Sequence, residues 1–366
     1  MNSTYVQPVP RRSRVRRSGR HVHWGRIVFW TSIGYLVAVV LWGLFANLVS
    51  EYWWLTSLYI YLPRQPLLLF LLVLVPAACI WNRRSILINF ITGLVILGPI
   101  MGFRGALPQW SGSRGPKSER LRVATCRIGN NYGLSSALSE FQAIVPEVVV
   151  LTRMAADDKL LDTEFSDWYL WHRDNFFVAS RHPLKHLDDC FDPETGRLIA
   201  CSFELEHKEA GKFRLVTVDL SNGDDPTDGF GLRAFISGAG RDQIRKTVQS
   251  RQSLNVAVRT FVDEQRSSSP MLVMGDFESP TDATQFRNSW RGWTNAFDER
   301  GRGYGYTAPC RTPWYWPEGT PWLRVDHVLT SPEWKIDRCW MGTQTESTHR
   351  LVGAIIRFPQ TTSSAR

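Results

Sequence analysis

Few residues in this chain have the chemistry of a reaction centre, and they sit at the ends of apolar stretches. MLVMGDF closes on an acidic residue, Asp276, and a second acid, Glu278, stands two positions on. Further along, RVDHVLTS carries Asp326 beside His327, and STHR carries His349 just before the last apolar stretch, VGAIIRF. Carboxylates and an imidazole are the groups that hold hard cations or move protons near neutral pH. Other polar groups have plainer readings. His182, His186 and His207 share no metal-ligand spacing and read as surface or structural residues; packing is the default role of His327. Trp314, Tyr315, Trp316 and Trp322 in TPWYWPEGTPW suit a membrane-facing or substrate-gripping loop, or equally the packed rim of a sandwich. Arg241, Arg245, Lys246 and Arg251 read as the solvated face of a helix.

The elements that must position these groups alternate between strand and helix. LRVATCRIG (121–129) reads as a strand, SSALSEFQAI (135–144) has helical spacing, and EVVVLT (147–152) is a buried strand of β-branched residues. Strands follow at DNFFVASR, LIACSFELE and FRLVTVDL. Residues 240–264 form a long amphipathic helix with Ile244, Val248, Leu254, Val258 and Phe261 on one side. Strands interleaved with helices predict one α/β domain over 120–360.

The order PEVVVL, SRHPL (Ser180 to Leu184), RLVTVDL, a long helix, MGDFESP (Met274 to Pro280), GYTAP (Gly305 to Pro309), RVDHVLTS (Arg324 to Ser331) and STHR (Ser347 to Arg350) resembles the endonuclease/exonuclease/phosphatase superfamily. It is similar in particular to bacterial members that carry N-terminal membrane helices. The resemblance implies a four-layer α/β sandwich of two mixed sheets flanked by helices. It also implies phosphoester hydrolysis, in which a divalent cation, Mg or Mn, is held by carboxylates and an Asp-oriented His handles the attacking water. On that pattern Asp276 is the Asp of the GDF motif, Asp326 orients the catalytic His, and His349 is that His.

Five positions depart from the pattern. Arg127 stands where the family has Asn, Arg153 where it has the metal-binding Glu, and Asp219 where it has the His of Thr-His-Leu; Glu278 replaces an Asn, and Thr348 the Asp before the last His. A guanidinium stays protonated and cannot ligate a cation, so Arg153 reverses the charge of the metal's carboxylate position. The expectation is a degenerate, metal-free site with weak or no catalysis, in which Arg127 and Arg153 pair with Asp276, Glu278, Asp219 or Asp326. The alternative is an altered but active phosphodiesterase or phosphatase, its metal held by Asp276 and Glu278, or with Asp219's help, acting on extracytoplasmic lipid headgroups, nucleotides or nucleic acid.

Composition, with 43% apolar and 21% charged residues, excludes a disordered chain, and six cysteines exclude a disulfide scaffold. The net charge of +9 is not spread evenly. Seven arginines and no acid precede residue 27, while residues 120–366 hold 30 basic and 32 acidic side chains, a balance that does not support nucleic-acid binding by the domain. Ile27 to Val49 carries no formal charge and is long enough to cross a hydrocarbon core of about 30 Å. Apolar runs at Pro66 to Trp81 and Ile86 to Phe103 predict two further spans, with the lipid bilayer as partner. By the distribution of Arg, residues 1–26 are then a cytoplasmic tail, the loop from Glu51 to Gln65 with its Tyr and Trp lies outside, the Arg83-Arg84 turn inside, and everything after Phe103, beginning with a linker at 104–119, outside. In that compartment Cys190 with Cys201, and less so Cys310 with Cys339, are disulfide candidates, against the reading that they are small buried hydrophobes.

Overall fold

The computed structural model describes residues 19–106, 120–129, 131–153, 158–209, 211–221, 237–266, 269–314, 316–343 and 346–359. Most of the basic tail, the linker from 107 to 119, Tyr315 and residues 360–366 lie outside the described residues.

The chain divides into two compact units, Met1–Trp42 with Gln65–Leu97, and Gly43–Arg64 with Gly98–Arg366. In the first, helix α1 (Gly19–Val49) enters. After α2 (Trp54–Tyr61), which belongs to the second unit, α3 (Leu69–Trp81) and α4 (Arg84–Val95) make a tight hairpin around Asn82 and Arg83. Asn89 Nδ2 donates to Leu74 O at 3.1 Å across it, and Asn82 Nδ2 donates to Gly25 O of α1 at 3.0 Å. Among the described residues one helix, Trp24–Tyr52, is long and apolar enough to cross a membrane. The expected second and third spans fall short as single helices. Helix α3 has 13 residues with Pro76 inside it, and α4 has 12 residues before a π turn at Ile96–Ile100 that contains Pro99.

The second unit is the sandwich. Its strands are β1 (Arg104–Gly105), β2 (Arg120–Arg127), β3 (Val148–Thr152), β4 (Tyr169–Arg173), β5 (Phe176–Ser180), β6 (Leu184–Phe191), β7 (Leu198–His207), β8 (Gly211–Asp219), β9 (Met271–Asp276), β10 (Thr294–Asn295), β11 (Arg302–Gly303), β12 (Asp326–Thr330), β13 (Lys335–Met341) and β14 (Val352–Arg357). The helices are α5 (Asn131–Ile144), α6 (Asp158–Glu164), α7 (Gly238–Glu264), α8 (Thr284–Ser289) and α9 (Ala296–Arg300). One six-stranded sheet has the order β13-β14-β2-β3-β5-β4 and the other β10-β12-β9-β8-β7-β6. β2 and β3 run parallel, as do β8 and β9, and their neighbours run antiparallel, so both sheets are mixed.

Three apolar clusters fix the layers. Val123, Val150 and Val178 face Phe203, Leu215 and Met274 between the sheets. Alternate residues of the first sheet, Ala124, Val149 and Ala179, face Leu138 and Phe141 of α5, and those of the second, Val216, Val218 and Val273, face Ile244, Val258 and Val262 of α7. This is the four-layer sandwich with two mixed sheets flanked by helices. The same alternation decides the cysteines. Cys190 pairs in register with Ala200 and Cys201 with Asp189, so the two thiols point to opposite faces of their sheet. Cys201 is in the inter-sheet core, Cys190 packs against the α7 cluster, and all six cysteines are free, so the expected disulfides are absent.

Two boundaries differ from expectation. The stretch expected as an exposed loop between spans belongs to the domain: Leu58, Ile60 and Tyr61 of α2 are in the α7 cluster, and Trp322 Nε1 donates to Tyr61 O at 3.0 Å. The expected linker also begins inside it, since β1 pairs with β11.

Candidate active site

The second sheet delivers three acids to one edge by register alone. Asp276 ends β9; its neighbour across one side is Asp326, which opens β12, and across the other is Asp219, which ends β8. Gly275 makes the close approach possible. It has φ of +143°, and a Cβ there would lie 2.0 Å from Val218 O. From the facing sheet come Arg127, at the end of β2, and His349, whose backbone N–H donates to Arg127 O at 3.3 Å.

Asp326 Oδ2 lies 2.8 Å from His349 Nδ1, which orients the ring. The other nitrogen, Nε2, faces Arg127 Nη1 at 3.4 Å. That same Nη1 donates to Asp276 Oδ2 and to Glu278 Oε1, both at 3.0 Å. Glu278 Oε2 accepts from Arg251 Nη2 at 2.7 Å, and Asp276 Oδ1 accepts from the Glu278 amide at 2.9 Å. Every carboxylate oxygen of Asp276 and Glu278 is therefore engaged. His349, Asp276, Asp326, Arg127 and Glu278 are each 2% exposed or less.

Burial sets the protonation states. It pushes Asp276 up to about 7, with Asp326 and Glu278 adding to the rise while His349 and Arg127 oppose it. Burial works against a charged His349, yet Asp326 and Asp276 hold its pKa above the ordinary value. The guanidinium of Arg127 is likewise penalised by burial and held above its usual range by Asp276 and Glu278.

The altered positions fall into two groups. Arg127 and Glu278 are in the centre. Arg153 is not: its Nε donates to Ser221 Oγ at 3.0 Å and lies 3.8 Å from Asp219 Oδ2, which has Arg197 Nη1 at 3.6 Å as well. The expected pairing of Arg153 with Asp219 is present in that loose form, and of the two arginines it is Arg127 that reaches Asp276 and Glu278. Arg153 and Glu278 both have φ near +50°, at 55° and 50°, a conformation that costs a non-glycine residue about 1–3 kcal/mol. Thr348 Oγ1 donates to Arg127 O at 3.3 Å and takes no part in the charge cluster. The residue that sequence reasoning missed is Arg251, read as solvated and found 3% exposed. Its position on α7, three residues after Val248 and three before Leu254, placed it on the apolar face.

The sequence profile of the endonuclease/exonuclease/phosphatase family matches residues 137–349. The chain belongs to that family. Comparison with curated protein sequences gives no match. Among solved structures, an endonuclease/exonuclease/phosphatase family protein from Bacteroides thetaiotaomicron is 13% identical, with a TM-score of 0.48 over 66% of this chain and 96% of its own. A mannosyl-6-phosphatase from the same organism is 13% identical, with a TM-score of 0.47 over 65% of this chain and 100% of its own. Enzymes of the endonuclease/exonuclease/phosphatase family are generally dependent on a divalent metal. Here Asp276, Asp326 and His349 offer three ligand atoms within 4.8 Å of one another. The donor set does not fit a cation as it stands, because the Arg127 guanidinium lies against the oxygens that would receive one.

Proposed function

We propose that this protein is a membrane-anchored member of the family in which Arg127 has taken the place of the divalent cation, leaving a phosphoesterase fold with weak or no catalysis that acts as a binding or scaffold module. The observation that carries this reading is the single Arg127 nitrogen at 3.0 Å from both Asp276 and Glu278. It supplies positive charge where a metal would sit, and it does so permanently. His349 is held by Asp326, and its second nitrogen faces the Arg127 guanidinium at 3.4 Å, in the direction along which a proton would be passed. Hydrolysis of bis-p-nitrophenyl phosphate with Mg²⁺ or Mn²⁺ tests the proposal: the parent, Asp276→Ala and His349→Ala are expected to give the same background rate.

The intact His349–Asp326 pair favours a second reading, an altered-site hydrolase for extracytoplasmic phosphoesters. Metal-dependent turnover by the parent that is lost in either variant would establish that reading and remove the first.

For the anchor, parity supports an extracytoplasmic domain. Residues 43–64 and 98–366 belong to one folded unit, so the hairpin between them leaves and returns on one side, whatever depth it reaches. The arginines before residue 27 keep the opposite end of α1 in the cytoplasm. An alkaline phosphatase reporter fused after Arg366 is expected to be active and a cytoplasmic reporter silent; the reverse pattern overturns the topology.

A further inference from the structure

The end of the sandwich far from the catalytic edge carries a second group of ligand-type side chains. Glu147 immediately precedes β3, His182 follows β5 by two residues, and His207 ends β7. The first two belong to one sheet and the third to the other, which is why no spacing in the chain joins them. Their ligand atoms lie within 4.8 Å of one another, and the two imidazole centroids are 4.6 Å apart. They line a cleft of about 590 Å³ that also includes Arg120. Arg120 opens β2, whose other end is Arg127, so at about 3.3 Å per residue the cleft is some 23 Å from the candidate active site.

Two of these atoms are orphans. Glu147 Oε2 and His182 Nε2 are buried and have no hydrogen-bond partner among the described residues. They face each other at 3.7 Å, too far for a hydrogen bond. Two ligands on a tetrahedral ion, each about 2.0 Å from it, stand about 3.3 Å apart, close to the separation seen. Two neighbouring guanidiniums have partners elsewhere: Arg120 Nε is 3.2 Å from Asp337 and Arg181 lies 4.8 Å over the Trp168 ring. The Glu209 amide donates to His207 Nδ1 at 3.3 Å, a contact that metal capture would replace.

We infer that Glu147, His182 and His207 form a binding site for a zinc-class divalent cation that ties the two sheets together at this end, with the cleft supplying the remaining coordination position. Two imidazoles and a carboxylate suit Zn²⁺ and its late first-row neighbours rather than Mg²⁺, which prefers an octahedron of oxygens.

Full-length protein in detergent, purified without a histidine tag and stripped by chelator, is titrated with Zn²⁺ and separately with Co²⁺. One tight zinc equivalent, a visible tetrahedral cobalt spectrum and a higher melting temperature with zinc are expected. His182→Gln and His207→Gln keep side-chain volume; each should lose the cobalt spectrum and weaken zinc binding by more than about tenfold, since even outer-shell losses cost that much. Their metal-free melting temperatures should match the parent, which separates lost ligation from lost folding. Asp276→Ala should keep the equivalent. A parent that binds no zinc, or an equivalent that survives both glutamine variants, overturns the site, as does an equivalent lost only in Asp276→Ala.

Discussion

Arg127→Ala is expected to destabilise the domain by about 3–5 kcal/mol, because it strands the buried carboxylate of Asp276 and removes one of two guanidiniums from buried Glu278. For a domain of this size that corresponds to a fall in melting temperature of roughly 10 °C. The distances say which groups suffer. Among the described residues Asp276 loses the one guanidinium it contacts, whereas Glu278 keeps Arg251 at 2.7 Å. Arg127→Lys should fall between the two, since an ammonium keeps the charge but not the fork that reaches Asp276, Glu278 and His349 together. The alanine variant should also acquire what the parent lacks: millimolar Mn²⁺ is expected to restore several degrees to Arg127→Ala and to leave the parent unchanged. Thermal melts of the full chain with and without Mn²⁺ make the measurement. A melting temperature within about two degrees of the parent, unmoved by Mn²⁺, means that the guanidinium is not holding the acids in check.

The second large effect is a gain. Arg127→Asn with Arg153→Glu restores the residue types that the family pattern places at those two positions, frees the oxygens of Asp276 and adds a carboxylate at the end of β3. Metal binding to the folded state at a hundredfold excess over Kd contributes about 2.7 kcal/mol, a rise of several degrees in a melt. The same protein is expected to hydrolyse bis-p-nitrophenyl phosphate with Mn²⁺, and the added Asp276→Ala should abolish it. Arg153 sits beside Asp219 and Ser221, so the carboxylate introduced in its place must turn away from Asp219 to contribute. If the double variant gains metal stabilisation without turnover, Glu278 and Thr348 are the remaining departures to revert.

The fold was legible because its signals are local. β-Branched runs such as Val148 to Val150 and the period of Ile244, Val248, Val258 and Phe261 report strand and helix directly. The site was legible only in its types. The structure brings Asp276, Asp326 and His349 together and pairs Arg127 with Asp276 and Glu278, since a buried guanidinium and buried acids have few ways to coexist. What the chain order does not encode is how the two arginines divide the acids: Arg127 at the end of β2 reaches Asp276 and Glu278, whereas Arg153, just after β3, lies loosely against Asp219. Arg251 was missed because its charge outweighed its place on an apolar face. The proximity of Glu147, His182 and His207 is not legible in the chain order either, since residues on two different sheets meet only after the sandwich closes.

The burial of α2 bears on how this protein is made and dismantled. Leu58, Ile60 and Tyr61, each 2% exposed or less, are translated ahead of the hairpin and well ahead of the sheets they help to cover. Full burial of side chains of this kind is worth about 1.5–3 kcal/mol each, so a polypeptide starting after the hairpin would begin with a gap in its α7 layer. Proteolytic shedding by a cut between Gln65 and Leu97 would therefore release nothing: the two fragments would stay joined through α2, as a nicked protein does. A secreted form of this domain would have to carry its own copy of residues 54–61, and during synthesis that short helix, delivered first, has to wait for the sandwich that will cover it.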